Sequence, residues 1–179
     1  MMNEADRLLI PKYFFITTGK AISKVSKLNA FDRALINAGL GDCNLVRVSS
    51  IIPPNAKLIE PIKLPIGSIV FVVMARMDGD PNEDISAGIA WAWIRSESEG
   101  KEFGVIVEDH GNEEKEALIE KLKMMCIDMA EARGMVIKDI RVKVEEMHVP
   151  EDHYGSVIAI AVLLPETIFL KKALGRKTL

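Results

Sequence analysis

Leu45-Val46-Arg47-Val48-Ser49-Ser50-Ile51-Ile52-Pro53-Pro54 decides how this chain is laid out. Leu45 to Ser49 has the apolar, β-branched composition of a buried strand. Pro53-Pro54 must end any ladder there, because neither proline carries an amide proton. Ser49 and Ser50 are therefore expected at a strand's end. Upstream, Tyr13 to Thr17 reads as a first strand, followed by a polar loop from Thr18 to Ser26. Asn29 can cap a short helix carrying Phe31, Ala34, Leu35 and Ala38 on one face, closed by Gly39. Downstream, Ile69 to Met77, Ala87 to Ile94, Phe103 to Glu108, Val136 to Val144 and Ser156 to Leu163 are five further strand candidates. Between the third and fourth of these lies a longer helix, capped by Asn112, with Leu118, Leu122, Met125, Cys126, Met129 and Ala130 at helical spacing and Arg133-Gly134 at its end. Strands outnumber helices, which predicts an α+β sandwich of two packed sheets covered by helices.

Composition bounds the possibilities. A chain of 179 residues with 49% hydrophobic and 27% charged side chains suits a single soluble domain. Its net charge of −3, with both signs interspersed, leaves no basic surface for nucleic-acid phosphates. The longest apolar runs, Ser156 to Pro165 and Ile66 to Met74, are half the ~20 residues of a membrane helix. The acidic start, Met1 to Arg7, is unlike a signal peptide, and a cytoplasmic location is expected. Cys43 and Cys126 have no CxxC or histidine partner at zinc-ligand spacing and read as reduced, packed residues. His148 and His153 flank Pro150 in a polar loop without a third ligand, so no metal is expected. Lys171, Lys172, Arg176 and Lys177 form a basic tail that reads as a frayed end.

An adjacent serine pair can also become a cofactor. Attack of the Ser50 hydroxyl on the carbonyl carbon of Ser49 would turn the peptide into an ester. β-Elimination would then open the backbone, leave dehydroalanine at position 50, and let water convert it to a pyruvoyl group with loss of ammonia. A pyruvoyl ketone condenses with an amine and withdraws electrons from it, and decarboxylation of an amino acid is the matching reaction. A serine before two isoleucines and two prolines is ordinarily a strand-to-turn residue, so the pair alone does not assign this chemistry.

Other blocks accompany it in order. They are Leu28-Asn29-Ala30-Phe31-Asp32, Ile36-Asn37-Ala38-Gly39-Leu40-Gly41, Asn44 through Pro54, Leu64-Pro65-Ile66-Gly67, Glu83-Asp84-Ile85-Ser86-Ala87, Gly104-Val105-Ile106-Val107-Glu108 and Arg133-Gly134. Together they resemble the pyruvoyl-dependent arginine decarboxylases over residues 8 to 164. The resemblance implies a layered αββα sandwich in a single domain and assembly as a homotrimer. It implies self-cleavage between Ser49 and Ser50 into chains 1–49 and 50–179, a pyruvoyl group derived from Ser50, and conversion of L-arginine to agmatine.

The resemblance also distributes roles. Asn44 matches the family's asparagine associated with processing and the active site, where its amide could donate to the oxyanion formed when Ser50 attacks; by itself it reads as a turn asparagine after Gly41-Asp42. Glu108 matches the acid that protonates the product's α-carbon, and a carboxyl at the end of an apolar strand suits a proton donor. Asp32 is the candidate for the substrate guanidinium, because a carboxylate accepts two parallel hydrogen bonds from that planar fork. It also reads as an acidic residue stabilising a helix N-terminus. Leu28 and Leu35 could line the methylene channel. Arg33 is a second cation that would weaken arginine binding if it pointed inward, and neither Glu83 nor His110 has an assigned role. Two alternatives stand beside this reading: a decarboxylase of another amino acid, and an uncleaved, noncatalytic trimeric scaffold or metabolite-binding protein.

Overall fold

The computed structural model describes residues 9–166. Its strands are β1 (Pro11–Ser23), β2 (Asn44–Arg47), β3 (Ile51–Ile52), β4 (Lys57–Leu58), β5 (Ile69–Gly79), β6 (Asp84–Arg95), β7 (Glu102–Gly111), β8 (Val136–His148) and β9 (Tyr154–Pro165). The helices are α1 (Lys27–Asn37) and α2 (Lys115–Glu131). One sheet runs β2-β5-β9-β1-β4 and the other β3-β7-β6-β8. In the first sheet β2 lies parallel to β5 and β4 parallel to β1, while the remaining pairs are antiparallel.

Alternation along the strands builds the layers, since successive side chains point to opposite faces. In β5, Val73 and Ala75 face the second sheet and pack with Phe14, Ile89 and Ile106, whereas Val72 and Met74 face Ala34 and Leu40 of the α1 region. In the second sheet, Ala90, Val105 and Val107 turn outward onto Leu118, Leu122, Cys126 and Ala130 of α2. The order is therefore α1, first sheet, second sheet, α2: a single-domain α+β sandwich. Each fully buried aliphatic or aromatic side chain in these layers contributes about 1.5–3 kcal/mol through removal from water.

Several local expectations are corrected. β1 continues through the supposed polar loop to Ser23, because pairing with β9 runs without interruption to Ser23–Tyr154. The cap of α1 is Ser26, whose hydroxyl accepts the Asn29 N–H at 3.1 Å, so Asn29 lies inside the helix. Asn112 does not cap α2; its side chain donates to the Asp84 carbonyl at 2.7 Å, and Glu114 precedes the helix. β2 is an edge strand with Val46 and Arg47 exposed, rather than a buried one. The two-residue strands β3 and β4 fall outside the expected set. His148 ends β8 rather than sitting in a loop, and its Nδ1 lies 2.8 Å from Asp84. The expected basic tail lies outside the described residues.

Candidate active site

The chain leaves one sheet and enters the other at the serine pair. Val48 still donates its N–H to Val72 of β5 at 2.9 Å, whereas Ile51 and Ile52 pair with Val105 and Gly104 of β7. Ser49 and Ser50 make the crossing between these two sheet edges. The Ser50 carbonyl accepts the Ile106 N–H at 2.8 Å, and the Ser49 carbonyl accepts the Ile51 N–H at 3.2 Å. Gly104 allows β3 to lie this close, since a Cβ at that position would stand 2.8 Å from Cβ of Ile52. Any side chain at 104 would therefore push the segment carrying Ser50 away from β7.

Glu108 belongs to the same corner. Along β7, Ile106 points into the inter-sheet core and Val107 toward α2. Glu108 therefore returns to the face of Ile106, at the margin of the sandwich. It is two residues, about 7 Å of strand, beyond the amide that holds Ser50. Burial raises its carboxyl pKa above the ordinary value, opposed by the charge of Arg47 and by its own backbone N–H. Arg47, at the end of β2, donates to the Met74 carbonyl at 2.6 Å, which holds its guanidinium near that carboxyl. Sequence reasoning assigned no role to Arg47; the available signal was a lone cation within an apolar strand that immediately precedes the serine pair.

Other expected site residues lie elsewhere in the fold. Asn44 starts β2 opposite Ile69, and its side-chain amide donates to the Gly67 carbonyl at 3.1 Å. It is four residues from Val48, about 13 Å along an extended strand, so the fold of this chain does not bring its amide to Ser50. Asp32 is exposed on α1, as is Leu28, while Leu35 is half-buried against the core between α1 and the first sheet. That sheet separates the three from the inter-sheet face of Glu108. With α1 starting at Lys27, Asp32 stands in mid-helix, which removes the helix-terminus explanation for it. Next to it, Phe31 carries the Arg76 guanidinium 3.6 Å from its ring centroid, and Arg76 is bound in turn by Asp78. Arg33 donates to the Ile22 carbonyl at 3.0 Å.

The unassigned residues resolve into structural partners. Glu83 closes the β5–β6 turn, accepting the Asp80 N–H through its carboxylate at 2.7 Å. His110 is an exposed β7 residue, and by alternation it shares the face of Glu108. Cys126 is buried in the α2 stripe, where desolvation pushes its thiol up to about 11. Among the described residues no group of three His, Cys, Asp or Glu side chains could hold a metal ion, and no helix is long and apolar enough to cross a membrane.

Comparison with known proteins places this geometry in context. A family model described as pyruvoyl-dependent arginine decarboxylase matches residues 13–167. The chain is 39% identical over 150 residues to the pyruvoyl-dependent arginine decarboxylase of Methanothermobacter thermautotrophicus, covering 83% of this chain and 94% of that protein. It is 34% identical over 160 residues to the one from Pyrococcus furiosus, covering 84% and 98%. With the one from Methanocaldococcus jannaschii it shares 40% identity over 108 residues, 60% of this chain and 64% of that protein.

Proposed function

The chain belongs to the pyruvoyl-dependent arginine decarboxylase family, and we propose that it converts L-arginine to agmatine and carbon dioxide with a pyruvoyl group made from its own Ser50. The observation that carries this reading is the crossing at Ser49-Ser50, held against β7 two residues from a desolvated Glu108. An intact serine at a strand-to-strand crossing fits the precursor of such a group. The chemistry supplied there is that of an electron sink for the bond to the departing carboxylate.

The protein's own residues do the rest. Self-cleavage at Ser49-Ser50 gives chains 1–49 and 50–179. Glu108, whose carboxyl pKa burial raises, delivers a proton to the α-carbon after carbon dioxide leaves. Asp32 reads the guanidinium, Leu28 and Leu35 border the aliphatic chain, and Asn44 acts in processing at a subunit boundary.

The division of these groups supports assembly as a homotrimer. Ser50 with Glu108, and Asp32 with Leu28 and Leu35, lie on opposite sides of the first sheet, so a neighbouring copy is needed to join them. The edge strands β2 and β3 are adjacent in the chain and carry exposed Val46 and Ile51, and Ile66 and Ile69, 82% and 72% exposed, lie where β5 begins beside β2. Unpaired, apolar edges of this kind favour coverage by another copy. A heterologous contact repeated three times closes a ring. A cytoplasmic location is part of the same reading and suits the free thiols of Cys43 and Cys126.

Steady-state kinetics on arginine, lysine and ornithine test the assignment. Arginine should yield agmatine with the highest kcat/KM. Asp32→Asn should lower kcat/KM for arginine about 10- to 100-fold, the range expected for losing a charged hydrogen-bond partner, with much smaller losses for the other two. Equal losses on all three, or a parent enzyme that prefers another amino acid, would overturn the substrate assignment.

A further inference from the structure

Building on self-cleavage at Ser49-Ser50, we propose that the backbone N–H of Ile51 is an oxyanion donor for that cleavage. The bond that must break is the Ser49–Ser50 peptide, and the oxygen that gains charge is the Ser49 carbonyl oxygen. In the uncleaved chain the Ile51 N–H already donates to that oxygen at 3.2 Å. The contact closes a three-residue turn with Ser50 at its centre.

The geometry has a cause one bond further on. A trans peptide points its C=O and N–H in opposite directions. The Ser50–Ile51 peptide has its C=O anchored by the Ile106 N–H at 2.8 Å, so its N–H is aimed away from β7 and back onto Ser49. The register agrees: Ile51 stands opposite Val105, a position whose amide takes no part in the β3–β7 ladder. The second sheet thus fixes a donor on the reacting carbonyl before reaction begins, which is the arrangement that stabilises a developing oxyanion. The Asn44 amide, donating to Gly67 within its own protomer, leaves this intrachain position to Ile51.

The sequence balances with water as its only co-reactant. The Ser50 Oγ loses its proton and bonds to the Ser49 carbonyl carbon, giving a five-membered ring whose oxyanion faces the Ile51 N–H. Collapse re-forms the C=O, breaks the C–N bond, and the Ser50 nitrogen takes up the proton as the ester forms. Loss of the Ser50 α-proton then expels the Ser49 carboxylate from Cβ, and water releases ammonia from the resulting enamine through its imine.

The test removes the donor and keeps the side chain. Replacing residue 51 by its α-hydroxy analogue turns the N–H into an ester oxygen, and Ile51→Pro removes the same proton by ordinary mutagenesis. Neither breaks a bond to β7. Ile51→Val keeps the N–H at a side chain that is 42% exposed. Release of the 49-residue fragment is followed by denaturing mass spectrometry, with circular dichroism as the check on folding. The α-hydroxy variant should cleave about 10²-fold or more slowly than the parent, the scale of losing one oxyanion donor, while Ile51→Val keeps the parent rate. Parent-rate cleavage in the α-hydroxy variant, or equal slowing in Ile51→Val, would overturn the assignment to the N–H. A parent that never cleaves would instead remove the self-cleavage on which it rests.

Discussion

Ser50→Ala is expected to leave a single 179-residue chain with no trace of the 1–49 fragment. The substitution removes the attacking oxygen and the β-leaving group together, so both the acyl shift and the elimination lose their chemistry. The fold should survive, because the bonds that hold the crossing are made by backbone atoms: Ser50 accepts from Ile106 through its carbonyl, and Val48 donates to Val72. Circular dichroism and thermal melting should match the unprocessed parent, while agmatine formation falls to the background rate. A Ser50→Ala protein that still yielded a 130-residue chain with a blocked N-terminus would show that another residue is the precursor.

Glu108→Gln should cleave normally and still capture arginine, yet turn over about 10²-fold or more slowly, as expected when a positioned general acid is lost. Borohydride reduction in the presence of arginine separates the two stages: trapping should persist while product formation drops. The pH profile gives the sign. Burial raises the Glu108 pKa, so the protonated acid persists to higher pH than an exposed glutamate would allow, and kcat should fall as pH rises through the folded value. Folding stability moves in the same direction: the stabilisation linked to the retained proton is fully present below the unfolded pKa and is lost as pH rises through the raised one. Glu108→Gln should remove both dependences. Parent-rate decarboxylation by the variant would move the acid elsewhere, with His110 on the same strand face as the first residue to examine.

The fold was legible where burial repeats. The α2 stripe of Leu118, Leu122, Cys126 and Ala130 and the long strands β5 to β9 follow periods that a buried face imposes. What the sequence concealed was set by distant partners. The length of β1 depends on β9, more than a hundred residues away, and overrides the polar character of Thr18 to Ser23. The edge position of β2 depends on which strand lies beside β5, so its apolar composition reads as buried although Val46 is exposed. β3 depends on pairing with β7 some fifty residues away, where Gly104 leaves room for Ile52.

The candidate site divides the same way. Ser50 and Glu108 were legible together because each ends an apolar run, and pairing across β3 and β7 brings those ends to one corner. Asp32 and Asn44 were legible as residue types but not as neighbours, since α1 and the start of β2 hold them away from Ser50. Arg47 was concealed because its importance comes from the Met74 carbonyl and the Glu108 carboxyl, neither of which is close in sequence.

The central claim is that this chain makes its own cofactor, and the mass of the denatured parent protein after prolonged incubation tests it most directly. Self-cleavage predicts two species, residues 1–49 ending in a free carboxylate and residues 50–179 beginning with a pyruvoyl group in place of a serine amine. A single species at the mass of residues 1–179 would contradict it and would favour the uncleaved scaffold.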